Sequence, residues 1–319
     1  MSVLTSIINS LPGAVAQGLI WGIMAIGLYI TYKILNVSDL TVDGSICTGA
    51  AVCVMMIING YSMPLALLGA FISGMLCGLA TGIFHTIMGI PAILAGILTQ
   101  LALYSVNLKI LGKANQVLNA SKYDLLVSLR NVKGVPLYEN AILITALLVL
   151  AIIAVLYWFF GTAYGCSLRA TGSNLNMSRA QGINTKMNTV FGLMLANGIV
   201  AFSGAILAQY QGYAEVTMGR GAIVTGLAAI IIGGAIFGKI SKNFAVQLLA
   251  TALGGVVYYI VYQIIICIGL DADLLKLLSA LVVAVFLAVP YIKSYYYPKY
   301  KKKLMKKNIK KEGAANARN

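Results

Sequence analysis

With only eight acidic residues in 319, each carboxylate invites a chemical question. Asp39 and Asp43 stand four apart in the run Asn36-Val37-Ser38-Asp39-Leu40-Thr41-Val42-Asp43-Gly44, beside an apolar segment. Two carboxylates so placed suggest acid–base work, but such work needs a metal or a nucleophile–base pair beside it. The chain has one histidine, His85, which ends an apolar segment and suits a helix end or a pore lining better than catalysis. Its five cysteines, Cys47, Cys53, Cys77, Cys166 and Cys267, lack metal-ligand spacing and read as small buried hydrophobes, neither disulfides nor zinc ligands. The other close acid pair, Asp271 and Asp273, falls on the opposite face of the membrane when the spans are counted. No catalytic residue and no metal site is therefore expected. Asp39 and Asp43 are read as helix-start residues, which accept bonds from free backbone N–H groups and suit the positive end of the helix dipole. A proton or ion relay is the sharper alternative.

A second polar group lies between Gly161 and Asn184, in GTAYGCSLRATGSNLNMSRAQGIN, wedged between two apolar segments. Arg169 and Arg179 carry charge there, Lys186 follows, and Leu168, Ala170, Leu175, Met177 and Ala180 are scattered apolar contacts. Gly172 and Gly182 are breaks, and Asn174 is placed to N-cap a short helix ending near Arg179. Such a helix can dock in a groove on a cytosolic partner or lie among lipid headgroups, and spacing alone supports both readings equally.

What positions these groups is a membrane bundle. The chain is 60% hydrophobic and 10% charged with mean hydropathy +0.90, more apolar surface than a soluble domain buries. The spacing predicts an all-α polytopic bundle of about nine segments: 13–32, 44–58, 64–84, 91–111, 141–160, 187–210, 221–237, 244–268 and 274–289. Residues 1–290 form the transmembrane domain, with the polar loop at 161–186, and 291–319 form a basic tail. Two segments, 44–58 and 221–237, are short and Gly-rich, as broken or re-entrant elements are. Small residues at helical spacing (Gly18 and Gly22; Gly74, Gly78 and Gly82) suit tight helix packing.

Net charge is +15, and ten Lys or Arg residues fall between Lys293 and Arg318. A basic tail after a membrane span marks the cytoplasmic side and meets anionic lipid; nucleic acid is not expected. Counting back through nine spans puts the 161–186 loop, the Lys239–Lys242 turn and Lys33 inside. The N-terminus, which has no Lys or Arg before Lys33, then lies outside the cell membrane. Without a positive n-region, no cleaved signal peptide is expected. The 109–140 stretch, with Lys109, Lys113, Lys122, Arg130 and Lys133, must face outward against this bias, as a platform for a partner or as a solvated connection.

The stretch Gly44–Ala51 (GSICTGAA) resembles Gly221–Ala228 (GAIVTGLA), and at the same offset Gly27 aligns with Gly204. In this topology the copies enter from opposite sides, as in an inverted repeat. The repeat places the pathway near Gly44, Gly49, Gly221 and Gly226. Among the polar residues at membrane depth, Gln100, Asn197 and Gln209 are further pathway candidates. No intramembrane acid–base chain stands out, which argues against an ion- or proton-coupled secondary transporter, the alternative function.

The loop resembles the coupling segment of permease subunits of ATP-binding-cassette (ABC) importers of the branched-chain amino-acid and ribose type. The residues that carry the resemblance are Gly165, Arg169-Ala170, Gly172, Asn174, Met177, Ala180 and Gly182-Ile183-Asn184. The stretch GLIWGIMAIGLYITYKILNVSDLTVDGSICTGAA resembles that family's opening span. Its Asp39–Gly44 part is similar to a subgroup that works with extracellular lipoprotein binding proteins, some for aromatic amino acids. The resemblance implies a dimer of permeases, here a homodimer, with a cytosolic ABC ATPase and a solute-binding lipoprotein. It implies import of a small solute, an amino acid or similar metabolite, by alternating access. Arg169, Asn174, Met177, Arg179 and Asn184 are then the residues that meet the ATPase. The chain has no GxxxxGK[ST] phosphate loop, so ATP is expected on the partner and no cofactor on this subunit.

Overall fold

The computed structural model describes residues 3–119, 122, 123, 125–132, 140–237, 243–267 and isolated helical positions between 277 and 288. The Lys239–Lys242 turn, Asp271, Asp273 and the tail 291–319 lie outside the described residues, as does most of the predicted segment 274–289. The chain divides into a unit at 1–272, which holds the helical bundle, and a second unit at 273–319.

Ten helices dominate the described part of the first unit: α1 (Val3–Tyr29), α2 (Val42–Ile58), α3 (Met63–Thr86), α4 (Ala92–Leu111), α5 (Ala141–Gly161), α6 (Ala163–Ser173), α7 (Leu175–Ala180), α8 (Thr185–Gln211), α9 (Ala222–Phe237) and α10 (Phe244–Cys267). Six are long and apolar enough to cross a bilayer: α1 with the turn that follows it, α3, α4, α5, α8 and α10. Every predicted segment up to 268 has its helix, and most ends agree within a turn. The short ones, α2 and α9, are uninterrupted helices of 17 and 16 residues. At 1.5 Å per residue each reaches about 25 Å, less than the ~30 Å hydrocarbon core.

Sequence chemistry sets the boundaries. Asn140, Thr162, Asn174 and Asn184 each cap the following helix with a side-chain oxygen. Gly112 and Gly212 close α4 and α8 in the left-handed region, which glycine enters without a Cβ penalty. Two short strands, β1 (Asn115–Val117) and β2 (Tyr213–Glu215), pair antiparallel with Gln116 opposite Ala214. Their ribbon marks one end of the bundle, the ribbon end; α6 and α7 mark the other, the loop end. Part of the 109–140 stretch folds onto the ribbon end instead of running free in solvent. Leu118 packs into a cluster with Ala205, Ala208 and Ala214, and Val127 is fully buried.

The core is built on α8, whose middle is buried on all sides, with α1, α2 and α3 around it. Small residues permit the close approach: a Cβ on Gly74 or Gly78 would strike the α8 backbone at Asn197 or Leu193. Gly18 and Gly22 play the same part against Val256 and Ala252 of α10. α5 lies at the edge, with Leu147, Leu150, Val155 and Trp158 exposed.

Candidate functional site

α1 ends in a π-helical turn, Ile30–Ile34, a departure from α-helix often found at functional sites. Asn36, at φ +55°, turns the chain, and a non-helical stretch from 35 to 41 leads back into the bundle. This stretch carries Asp39, which is 1% exposed. Its carboxylate accepts the Thr41 N–H at 2.9 Å and the Asn197 amide at 2.7 Å, while the Ser45 hydroxyl donates to Asn197 Oδ1 at 2.6 Å. Thr41, Thr81 and Thr99 join their hydroxyls alongside. A buried carboxylate persists in low dielectric only when bonded in this way. The network ties the start of α2 to α3, α4 and the midpoint of α8.

Asp43 corrects one expectation. It stands in the first turn of α2, yet its carboxylate serves another helix. It accepts the N–H groups of Gly221 and Ile223, each at 2.9 Å, at the start of α9. Gly221 takes φ +84°, which lets the chain turn into α9 with its N–H aimed at Asp43. Next to it, Cys47 Sγ accepts the Gly219 N–H at 3.1 Å. α2 runs alongside α8 toward the ribbon end, with Ser45 beside Asn197 and Gly49 beside Ala201. α9 runs against α10 toward the loop end, with Ala229 beside Gly254 and Gly233 beside Ala250. Two short helices thus point in opposite directions, as the sequence repeat predicts, but their N-terminal ends meet, a contact the repeat does not imply, and the carboxylate that joins them sits at the positive pole of α9. Asp43→Ala removes two charge-assisted bonds worth about 1.5–3 kcal/mol each. We expect protein that reaches the membrane but loses solute uptake at least tenfold, checked by uptake per copy of inserted protein.

The other pathway candidates separate by position. Gly44 and Gln100 line a cavity with Asp43. Asn197 sits in the buried network. Gln209 fastens the ribbon end, accepting the Leu126 N–H at 3.2 Å and donating to Cys53 Sγ at 3.4 Å. Gly49 and Gly226 occupy helix contacts, against Ala201 and against Met24 and Leu28.

At the loop end the polar stretch forms two helices, not one. α6 is pinned to the bundle at Gly172, where a Cβ would overlap the Ile34 carbonyl, and at Asn188, whose amide donates to Ser167 and Thr171 hydroxyls at 2.7 and 3.0 Å. Asn174 caps α7 by accepting the Asn176 and Met177 N–H groups, and Asn184 caps α8 by accepting the Met187 N–H. The Arg179 guanidinium donates to the Thr185 hydroxyl at 3.0 Å. Arg169 lays its guanidinium over the rings of Phe244 and Phe160, at 4.5 and 5.4 Å, a cation–π arrangement. Three of the five predicted coupling residues thus brace the loop, and Arg169 rests on α5 and α10. Met177 projects, at 64% exposure, with Leu175 and Met187 also open. A wide recess of about 670 Å³ lies behind them, between the 35–38 stretch, the α3–α4 turn and Arg179. His85 closes that turn, its ring within 2.9 Å of the Ile90 carbonyl. Cys47, Cys53 and Cys77 are buried as expected, but Cys166 is exposed because α6 lies on the surface. No cluster of three metal-ligating side chains occurs among the described residues.

Known proteins share this architecture. A family model described as branched-chain amino acid transport system / permease component matches residues 11–289. The tyrosine transport system permease protein of Clostridioides difficile (strain R20291) is 36% identical over 283 residues, 88% of this chain and 91% of the relative. An autoinducer 2 import system permease protein of Yersinia pseudotuberculosis (serotype O:1b, strain IP 31758) is 31% identical over 215 residues, 66% of this chain and 58% of the relative. The PsaBC structure from Streptococcus pneumoniae, in complex with Fab, superposes with TM-score 0.52 at 17% identity. It covers 94% of this chain and 96% of its own, and shows likeness of fold.

Proposed function

Because the chain belongs to the branched-chain amino acid transport permease family, and so is a multi-pass membrane subunit of an ABC importer, we propose that it carries an amino acid, aromatic ones included, driven by a separate ATPase docked on α6 and α7. The tyrosine transport function of the C. difficile relative supports the solute class. The observation that carries the docking is α7 itself, a capped turn of helix that holds Leu175 and Met177 out from a rigid base. Exposed apolar side chains on a braced helix suit a groove on a partner. ATP binding and hydrolysis belong to that partner. Its push reaches the bundle through Gly172 on Ile34, at the π-turn leading to Asp39.

Lys33, Arg169, Arg179 and Lys186 all fall at the loop end, which supports that end as the cytoplasmic one. The ribbon end then faces outward and receives solute from a binding lipoprotein, and a second copy of this chain completes the pathway. The alternative of an ion-coupled transporter is not favoured by the family.

The test is affinity purification from the native membrane in mild detergent. The wild-type chain should carry a nucleotide-binding subunit. Leu175→Asp with Met177→Asp should lower its recovery at least tenfold, about the loss of one hot-spot pair, with insertion unchanged. Undiminished ATPase in the double variant would refute the docking assignment.

A further inference from the structure

Asn107 on α4 is 1% exposed, and its Oδ1 accepts no hydrogen bond. A buried acceptor left unpaired is costly and rare in folded chains, so it calls for an explanation. Asn107 lines the cavity that begins at Asp43, about 280 Å³ in volume, near the lower bound of small-molecule pockets. Gln100, Tyr104 and Asn107 stand at i, i+4 and i+7, one face of α4 turned to this space. Opposite them are the start of α2, with Asp43, Gly44 and Cys47, and Arg220, which directly precedes Gly221.

The charges here are complementary but unspent. Asp43 uses one lone pair of each oxygen on the α9 backbone, and a carboxylate offers about four. Arg220 makes no ion pair within the described residues, although Asp43 lines the same cavity. One anion, one cation and an orphan acceptor around a single small space match a zwitterion. A simple anion would meet Asp43, a simple cation would meet Arg220, and a neutral sugar would leave both charges without a counter-ion.

On the reading of this chain as an importer subunit, we propose that this cavity is a resting site for a free α-amino acid on the pathway. Its ammonium donates to Asn107 Oδ1 and to the spare lone pairs of Asp43, and its carboxylate meets the Arg220 guanidinium. Leu101 and Tyr104 border the space left for the side chain. Since the same Asp43 holds the start of α9, the occupant bears directly on the joint between the two short helices.

Asn107→Leu is the informative variant, because it removes an unpaired polar atom at nearly constant shape. If the residue were merely structural, the change would be neutral or stabilising. The experiment measures ATP-driven uptake of labelled L-tyrosine and a panel of other labelled amino acids by the assembled importer in vesicles, with its ATPase and binding protein. Asn107→Leu and Arg220→Gln should each raise KM about tenfold or more. Tm and the recovered ATPase should match wild type, and Arg220→Lys should restore part of the affinity. Tyramine, which lacks the carboxylate, and 3-(4-hydroxyphenyl)propionate, which lacks the ammonium, should compete poorly. Wild-type KM in both variants would overturn the site, as would equal competition by either analogue. Loss of the ATPase from either variant would make the residues structural and overturn it too. Uptake of labelled ribose but of no amino acid would overturn the zwitterion while leaving the importer standing. Absence of any ATPase from the wild-type preparation would overturn the importer reading itself.

Discussion

Gly49→Val yields no monodisperse protein. A Cβ at position 49 would stand 1.9 Å from the carbonyl oxygen of Ala201, and the reciprocal position, Gly204, would place one 2.0 Å from the carbonyl of Ile46. These are backbone obstacles, so no rotamer change relieves them. α2 must instead lift away from α8, whose middle is buried on all sides. Overpacking in a core ordinarily costs about 1–3 kcal/mol where side chains can give way, and here they cannot. Separation of α2 would also stretch the Ser45–Asn197 bond one turn earlier. Gly234→Ala is the control, since nothing lies within 4 Å of its added Cβ. It should be neutral, or more stable by roughly 0.5–1 kcal/mol through helix propensity. Fluorescence-detected size exclusion in detergent separates the two results, and a sharp wild-type peak from Gly49→Val would refute the close contact.

Asn197→Leu lowers thermal stability strongly while preserving side-chain volume. The substitution strips Asp39 of its 2.7 Å bond and leaves the Ser45 hydroxyl without its acceptor, both in fully buried surroundings. A bond to a charged group is worth about 1.5–3 kcal/mol, and the stranded hydroxyl adds about 1 kcal/mol or more. At roughly 2–4 °C per kcal/mol for a chain of this size, Tm should fall by about 5 °C or more. Adding Asp39→Leu should recover part of that loss, because removing both partners spares the desolvation of an unpaired charge. Recovery is incomplete, since the Thr41 N–H still loses its acceptor. A double variant less stable than Asn197→Leu alone would show that Asp39 holds more than Asn197 and Thr41.

The membrane segments were legible because each is a long apolar run, and lipid rewards that composition whatever the neighbours are. Caps were equally legible: Asn174 precedes its helix by a local rule and needs nothing distant. Partners were not. Asp43 reads as a helix-start residue, which it is, but it also caps a distant helix, through the Gly221 N–H 178 residues later. The resemblance of Gly44–Ala51 to Gly221–Ala228 aligned the two helix starts without implying that they touch. Gln209 and Asn197 stood out as polar groups in apolar runs, a signal that cannot distinguish a pathway from a fastening. The 161–184 stretch gave one short helix where two form, because α6 has few apolar positions and owes its helicity to the contact with Ile34 and Asn188. Asn107 carries no signal in the sequence for a related reason: only the folded chain reveals that its carbonyl finds no donor.

The joint at Asp43 also sets a clock for biogenesis. A ribosome adding roughly 5–20 residues per second needs about 10–40 s to travel from Asp43 to the start of α9. Throughout that interval α2, too short to span the bilayer unaided, holds an acidic residue at its inner tip with no mate. Insertion of the first half is therefore provisional until α9 is synthesised, and a translational pause between α8 and α9 would lengthen the period in which membrane quality-control proteases find an unfinished chain.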